Sequence, residues 1–497
     1  MGVIQRQGSK QSLVKILGVL IGFVSIMLVY PLHHEAVGYA QFLTSTAYLI
    51  LPFLGLGLSQ TAIKFFAPFA DSGESKENFI WVILALHVVP FVFFIAVFYF
   101  FKNHFYQLLS SFDFNIDLIK ENEFYIFIIA FLTMMFTTLS SYTSNFGRIV
   151  IPTLINDFSY KIFLPIVILL VYIGYQTTAS IPYYIIGFFV FILILISIYM
   201  IQLGAIGSTP SLKFLTQTRL KKIAKYSLFS ALSGLGTVLA FRIDVVMVTG
   251  ILDKANAGLY FNVLAMAMVI DIPNQAIGKI AGPIISKSWN EGNTENIQSI
   301  YTKASINSLI VGMLVFLGIW FNIDSIFALS TRPEAFIGAT QVFLFLGVAK
   351  LIDALTGINT HILVYSDHYK YNLLFLVLLG GLNVACNIVF INSYGLQGAA
   401  IATLLSLTVY NFIKYMFIRY RMGMTPFGFN TLKVLGIGLA VFLVLNILPM
   451  SENEFFNILL RSSLISVLFI GLVFFSKASK DFNDLIMGCA KYLKLYK

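Results

Sequence analysis

The sequence predicts an all-α polytopic membrane protein of about 14 transmembrane helices, in two pseudo-symmetric six-helix lobes plus a C-terminal helix pair. Three observations predict it. Of 497 residues, 58% are hydrophobic and only 11% charged, where soluble domains carry about 25% charged residues. The mean hydropathy is +0.87. Apolar runs of about 18 residues or more recur along the whole length, as helices crossing a hydrocarbon core of about 30 Å require. These runs are continuous, whereas a membrane β-barrel would alternate over segments of about 10 residues.

The elements follow in order. Arg6, Lys10 and Lys15 precede the apolar run 16–30. That pattern resembles a secretory signal, but no small-residue cleavage site follows, so 13–30 reads as a first, retained span. Further spans are expected at 39–66, 79–101, 124–146, 151–174 and 182–206. After a basic linker come 227–250, 257–283, 304–321, 336–363, 371–392 and 395–418, then 434–448 and 457–475. The run 434–448 is the shortest and holds Gly436 and Gly438. The expected organisation is a six-helix lobe at 1–210, a cytoplasmic linker at 211–225, a second six-helix lobe at 226–422, and the last two helices with a tail at 423–497. No loop is long enough to fold as a separate domain.

Charge fits that topology. With both termini cytoplasmic, about twenty-one basic residues fall inside, and Lys102, Lys120, Lys254, Arg332 and Arg461 fall outside. This is the bias that orients membrane proteins. The net charge of +10 is therefore read as orientation and not as nucleic-acid binding. The two cysteines, Cys386 within a span and Cys489 in the tail, are poorly placed for a disulfide. No metal-spaced His/Asp cluster, nucleophile setting or phosphate-cradling loop after a strand is present, so neither catalytic residues nor a cofactor is expected.

The two halves echo each other. Glu35-Ala36-Val37-Gly38-Tyr39 opens the second span, and Ala255-Asn256-Ala257-Gly258-Leu259-Tyr260 the eighth. A proline follows inside each, Pro52 and Pro273; it removes a helical hydrogen bond and bends the span. Kinked helices at matching places in two halves point to a transporter's central site.

One span departs from the apolar pattern. Arg242 and Asp244 lie well inside 227–250, where a charge near mid-bilayer costs about 2.5–3.5 kcal/mol on the most lenient scale. They are two positions apart, about 200° around a helix, and cannot share a face. Asp244 continues a stripe with Ser230, Ser233 and Thr237; Arg242 lies with Leu235, Val238 and Leu239. Each faces either a wet cavity or the helix bundle.

The segment Arg242-Ile243-Asp244-Val245-Val246-Met247, then Gly250 and Ala257-Gly258-Leu259-Tyr260, resembles the seventh-to-eighth span of bacterial polysaccharide flippases. Asn383 with Asn387, followed by Tyr394-Gly395-Leu396-Gln397-Gly398-Ala399-Ala400-Ile401-Ala402-Thr403 and Ser406, resembles the YGxxGAAxATxxS pattern of that family's eleventh-to-twelfth span. The family lies in a superfamily with multidrug exporters and lipid II flippases. The small residues in this hairpin also have a packing role of their own, letting helix backbones approach closely.

The resemblance implies export of a polyprenyl-pyrophosphate-linked oligosaccharide across the bacterial inner membrane by alternating access, driven by a coupling cation (H⁺ or Na⁺) or by the membrane potential. It implies no catalysis. Physics sets the requirements. A sugar hydroxyl in hydrocarbon without a partner costs about 4–8 kcal/mol, so the glycan needs a polar groove while the lipid tail stays among membrane lipids. The pyrophosphate needs cations. Arg242, Lys64, Lys279 and Lys350 are the candidates, with snorkelling to the lipid surface as the alternative for Lys64 and Lys279 and a structural ion pair as that for Arg242. Asp244, Asp271 and Asp353 are candidates for coupling or intramembrane pairing. Lys350 and Asp353 share a face at i,i+3, so a pair between them is expected. His87 reads as buried without visible partners, and His33 and His34 as a surface loop.

Two other classes remain open. A multidrug exporter of the same architecture would favour an acidic binding lobe. A membrane glycosyltransferase, acyltransferase or polymerase would need the catalytic constellation not found here.

Overall fold

Many large apolar side chains turn outward in this fold while a set of polar ones is buried beside the apolar core, as a hydrocarbon solvent allows. The computed structural model describes residues 17–71, 75–148, 150–207, 214–447 and 453–492, without the side chains of Asp157, Thr237, Ala240, Phe241 and 489–492. Arg6, Lys10, Lys15, Lys213, Lys494 and Lys497 lie outside the described residues, as do the side chains of Lys491 and Cys489. Among the described residues every regular element is helical. Val89, Phe93 and Phe100 are 71%, 67% and 79% exposed, while Gln41, Ser45, Thr133 and Thr138 are buried.

Apart from the short helices Phe66–Ala70 and Ile323–Ala328 and isolated 3-10 turns, the helices are α1 (17–33), α2 (His34–Gly55), α3 (Leu58–Lys64), α4 (Phe79–Ser110), α5 (Ile116–Ser144), α6 (Val150–Tyr172), α7 (Ile181–Gln202), α8 (Gln217–Ile251) and α9 (Lys254–Met268). Then come α10 (Ile272–Asn290), α11 (Thr294–Trp320), α12 (Ala339–Thr356), α13 (Asn359–Tyr365), α14 (Tyr369–Met422), α15 (Phe429–Asn446), α16 (Glu454–Ser476) and α17 (Lys480–Tyr492). Starts are marked chemically. Asn115, Asn293 and Asn453 accept hydrogen bonds from the backbone N–H groups of Leu118, Asn296 and Phe456, closing donors that a first turn leaves open.

Eleven helical runs among the described residues are long and apolar enough to cross a membrane. The expectation of about fourteen counts differently. The run Leu17–Gly55 contains His33, whose φ of −153° and ψ of 76° leave the helical region. The charged α8 is not among the eleven. The 54-residue α14 would be about 81 Å long if straight, far beyond one crossing.

It is not straight. Gly395 has φ 57° and ψ −135°, and a Cβ on Gly398 would overlap the carbonyl oxygen of Phe390. Eight residues of straight helix would set those positions about 12 Å apart, so the chain folds back at Gly395. Only glycine adopts that backbone cheaply. Gly395→Ala is expected to cost about 1–3 kcal/mol, read as a lower Tm in detergent; an unchanged Tm would refute the assigned strain.

Two compact units divide the chain, Met1–Leu259 and Tyr260–Lys497. In the first, α8 packs along α2, and α2 also packs on α5. Ala36, Ala40, Phe42, Leu43 and Ala47 of α2 are fully buried there. Beyond Pro52 the helix runs to Gly55 and breaks, with Leu56 left-handed (φ 39°). At Pro273 the interruption comes just before, as the 3-10 turn Val269–Asp271. Each proline thus stands beside a break, but only Pro52 lies inside its helix as the sequence reading expects; Pro273 falls in the first turn of α10.

Two histidine readings are corrected. His87 has partners: its ring nitrogens lie 2.8 Å from the Ile83 carbonyl and 3.1 Å from the Thr138 hydroxyl. His33 is not in a free loop, since its Nδ1 accepts from the Ala36 N–H at 3.2 Å and caps α2. In the second unit, Arg461 of α16 is 7% exposed and donates to the Phe321 carbonyl at 2.7 Å. Its expected place in an outer loop is replaced by an interior tie to the end of α11. Cys386 is a free thiol.

Candidate polar sites in the two units

The 35-residue α8 holds the charged residues that the apolar pattern fails to explain. Arg242 is half-buried, and its guanidinium carbon sits 4.8 Å from the centre of the Tyr48 ring of α2. Tyr160 of α6 comes within electrostatic reach of the same guanidinium. Among the described residues no carboxylate pairs with Arg242. A cation over an aromatic face gains about 0.5–2 kcal/mol, less than the cost of mid-bilayer burial. The guanidinium keeps donor capacity for an anion, which its planar fork binds two-pronged. Asp244, across the helix, is 2% exposed and faces the interior.

Lys64 is exposed at the end of α3, its Nζ 3.9 Å from the Tyr226 ring centre. Tyr226 and Arg242 are sixteen residues apart on α8, roughly 24 Å along the axis. The structure therefore does not bring Lys64 and Arg242 to one ligand-sized spot. Between these levels lies a cavity of about 160 Å³, lined by Pro52, Gly57, His87, Thr138, Ser230 and Gly234 among others. Its volume suits about five waters. Ser230 of the Asp244 stripe reaches this cavity, while the Thr237 side chain lies outside the described residues. Another cavity, about 550 Å³ between α6 and α7, is lined by Ile162, Phe163, Ile166, Phe188 and Phe191 and is apolar.

The echoed motifs meet. A Cβ on Gly38 would overlap the Lys254 carbonyl oxygen, and a Cβ on Gly258 would overlap the His34 carbonyl oxygen. The two glycines thus let the first turns of α2 and α9 cross backbone to backbone, each against the other chain segment's carbonyl. Lys254 Nζ lies 4.1 Å from the Tyr39 ring centre, and the Tyr39 hydroxyl donates to Asn122 at 2.5 Å. The repeat was visible in sequence; that its halves touch was not.

The second unit gathers the other candidates. Lys350 and Asp353 form the expected pair, 3.9 Å apart, with Lys350 3% exposed. Asp353 also accepts from the Asn411 amide at 2.5 Å. Asp271 accepts from the Asn274 amide at 3.2 Å and the Gln275 amide at 3.0 Å. Lys279 is exposed on α10. Sequence reasoning passes over Lys414, which sits four residues from the end of the run 395–418. It is 1% exposed and donates to Thr360 at 2.5 Å. Tyr48 is missed likewise, because an interfacial tyrosine and one beneath a guanidinium look alike in sequence. No metal-binding group of three or more His, Cys, Asp or Glu occurs among the described residues.

The fold has counterparts. The chain superposes on the lipid II flippase MurJ in its inward closed conformation with TM-score 0.71 and 14% identity, covering 96% of this chain and 99% of that one. An inward-facing multidrug resistance MATE family transporter of the MOP superfamily matches with TM-score 0.59 and 15% identity, over 83% of this chain and 94% of its own. The fold is that of MurJ and the MATE transporters. In sequence, the probable low-salt glycan biosynthesis flippase Agl15 of Haloferax volcanii is 24% identical over 201 residues. That match spans 40% of this chain and 42% of Agl15, less than half of the relative's length. No family model matches the chain. The resemblance read from the sequence thus agrees with relatives that are flippases and exporters, and the chain is a multi-pass membrane protein of their fold.

Proposed function

We propose that this protein moves a polyprenyl-pyrophosphate-linked oligosaccharide from the inner to the outer leaflet of a cytoplasmic membrane, acting as a transporter and not as an enzyme. The observation that carries this reading is Arg242, half-buried on α8 over Tyr48 and paired with no carboxylate among the described residues. A guanidinium so placed suits a pyrophosphate, and an aromatic ring beside it suits a sugar face. The flippase relative and the MurJ-like fold support the same substrate class. Both termini lie inside in this reading, in line with the positive-inside bias. Two lobes move against each other in this reading; the boundaries expected from the sequence, 1–210 and 226–422, differ from the compact units in that 226–259 packs with the first unit. An anion carried outward gains about 2.3 kcal/mol per charge per 100 mV of inside-negative potential, so no nucleotide is needed.

The test is binding of polyprenyl pyrophosphate, compared with the dephosphorylated polyprenol, to the full chain in lipid nanodiscs. Saturable binding of the pyrophosphate alone supports the reading. Equal binding of both lipids overturns it, and ethidium efflux in its place would favour the multidrug reading that the MATE fold also suits.

Lys64 gives a graded comparison. It is exposed and shares its charge with Tyr226, a contact of about 0.5–1 kcal/mol at such sites. Lys64→Ala is therefore expected to weaken pyrophosphate binding by less than about 10-fold. A larger loss would mean that the phosphate sits at α3 instead.

A further inference from the structure

A buried chain of hydrogen bonds in the second unit runs in one direction across three helices. The Lys414 ammonium donates to the Thr360 hydroxyl at 2.5 Å, and that hydroxyl donates to the Asn359 side-chain amide oxygen Oδ1 at 3.3 Å. The Asn359 amide donates to the Asn411 oxygen at 3.2 Å, and the Asn411 amide donates to Asp353 at 2.5 Å. Asp353 closes the chain on Lys350 at 3.9 Å. Asn359, Asn411 and Lys414 are 2%, 2% and 1% exposed.

We infer that this relay is a proton-binding site, with the Lys414 amine as the proton carrier and Asp353 as the group that senses its charge.

The direction of donation carries the argument. Every donor points from Lys414 toward Asp353, the order that an ammonium at one end and a carboxylate at the other stabilise most; a neutral amine could donate or accept at Thr360 and no longer fixes that order. A lysine, unlike an arginine, can release its proton when buried. Once it does, the amine can accept from the Thr360 hydroxyl. That hydroxyl then abandons Asn359, and the order fails link by link. Coupled polar chains of this kind respond as a unit.

Metal cations do not fit the same place. Hard cations take a cage of six or more oxygens, but here N–H groups already face the carboxylates. Asp353 receives the Asn411 amide and the Lys350 ammonium, and Asp271 receives the Asn274 and Gln275 amides. The ionisable groups around the relay are Asp271 before α10, Lys350 and Asp353 on α12, His361 on α13, and Tyr410 with Lys414 on α14. Tyr410 presents its ring 4.2 Å from the Lys414 Nζ.

The relay also spans a break. Between α12 and α13 stands Gly357, with φ 62° and ψ −132°. Thr356 donates to the Asn411 oxygen at 3.1 Å on one side of it, and Asn359 does so on the other. Loss of the proton would thus free both sides of a joint at once. This assignment deepens the transport reading above by naming its coupling ion as H⁺, yet it is measured on the protein alone, so a failed lipid assay leaves it standing.

The test is the Tm of the purified full chain across pH, for wild type, Lys414→Met and Lys414→Arg, with sodium exchanged for choline at constant ionic strength. The expected result is a pH-dependent step in Tm that both variants lack, and no saturable rise with sodium. A step that persists in Lys414→Met overturns the assignment. So does a saturable sodium effect that Asp353→Asn abolishes. If Lys414→Met does not fold, Thr360→Val serves: it severs the second link while keeping the amine. Its step is expected to shift, and an unshifted step overturns the proposal.

Discussion

Arg242→Ala is expected to weaken polyprenyl pyrophosphate binding by about 10- to 100-fold, the loss of a charge-assisted contact worth about 1.5–3 kcal/mol. The fold should survive. Arg242 is paired with no carboxylate among the described residues, so its removal strands none of the described anions. The cost to stability is about that of the Tyr48 contact, 0.5–2 kcal/mol. Arg242→Lys keeps the charge but loses the planar fork and its stacking on Tyr48, so binding should fall between wild type and alanine. Titration of nanodisc-embedded protein with the lipid, alongside a thermal melt, measures both quantities. A variant that unfolds would make Arg242 a structural residue, and a variant that binds normally would remove the pyrophosphate from its neighbourhood.

The second large effect is expected at the crossing of α2 and α9. Gly38→Ala or Gly258→Ala adds a Cβ where a backbone carbonyl oxygen already stands. Backbone cannot rotate away as a long side chain can, so the two first turns must separate. Overpacking of this kind costs about 1–3 kcal/mol or more. In a protein with an alternative arrangement, that energy shifts the populations about 10- to 100-fold toward the form in which these turns are apart. Amide hydrogen exchange over 34–40 and 254–260 should rise accordingly, while exchange in the buried middle of α5 stays unchanged. Equal exchange in variant and wild type would mean that the crossing yields locally and controls nothing.

Much of the fold is legible in the sequence because hydropathy over a span's length is a strong signal and charged residues mark the spans' ends. The Lys350–Asp353 pair is legible too, since i,i+3 spacing sets both on one helical face. Partnerships between helices are not. His87 and Thr138 lie fifty-one residues apart in sequence, and Lys414 and Thr360 fifty-four. A period of 3.6 tells which residues of one helix look the same way, but not which helix they look at. The Gly38–Gly258 crossing shows the same limit: the repeat was there to read, whereas its function as a contact depends on two carbonyls that any sequence would possess. The aromatic partners of Arg242 and Lys64, Tyr48 and Tyr226, disappear among 25 tyrosines for that reason.

The reversal of α14 at Gly395 bears on how the chain reaches its bilayer. Residues on either side of that glycine are already helical, and Gly398 lies against the backbone at Phe390. The polar link Asn392-Ser393-Tyr394-Gly395-Leu396-Gln397 between the two segments is therefore only a few residues long. With so short a link, one segment cannot stand in the bilayer far from the other, and the two occupy lipid as neighbours.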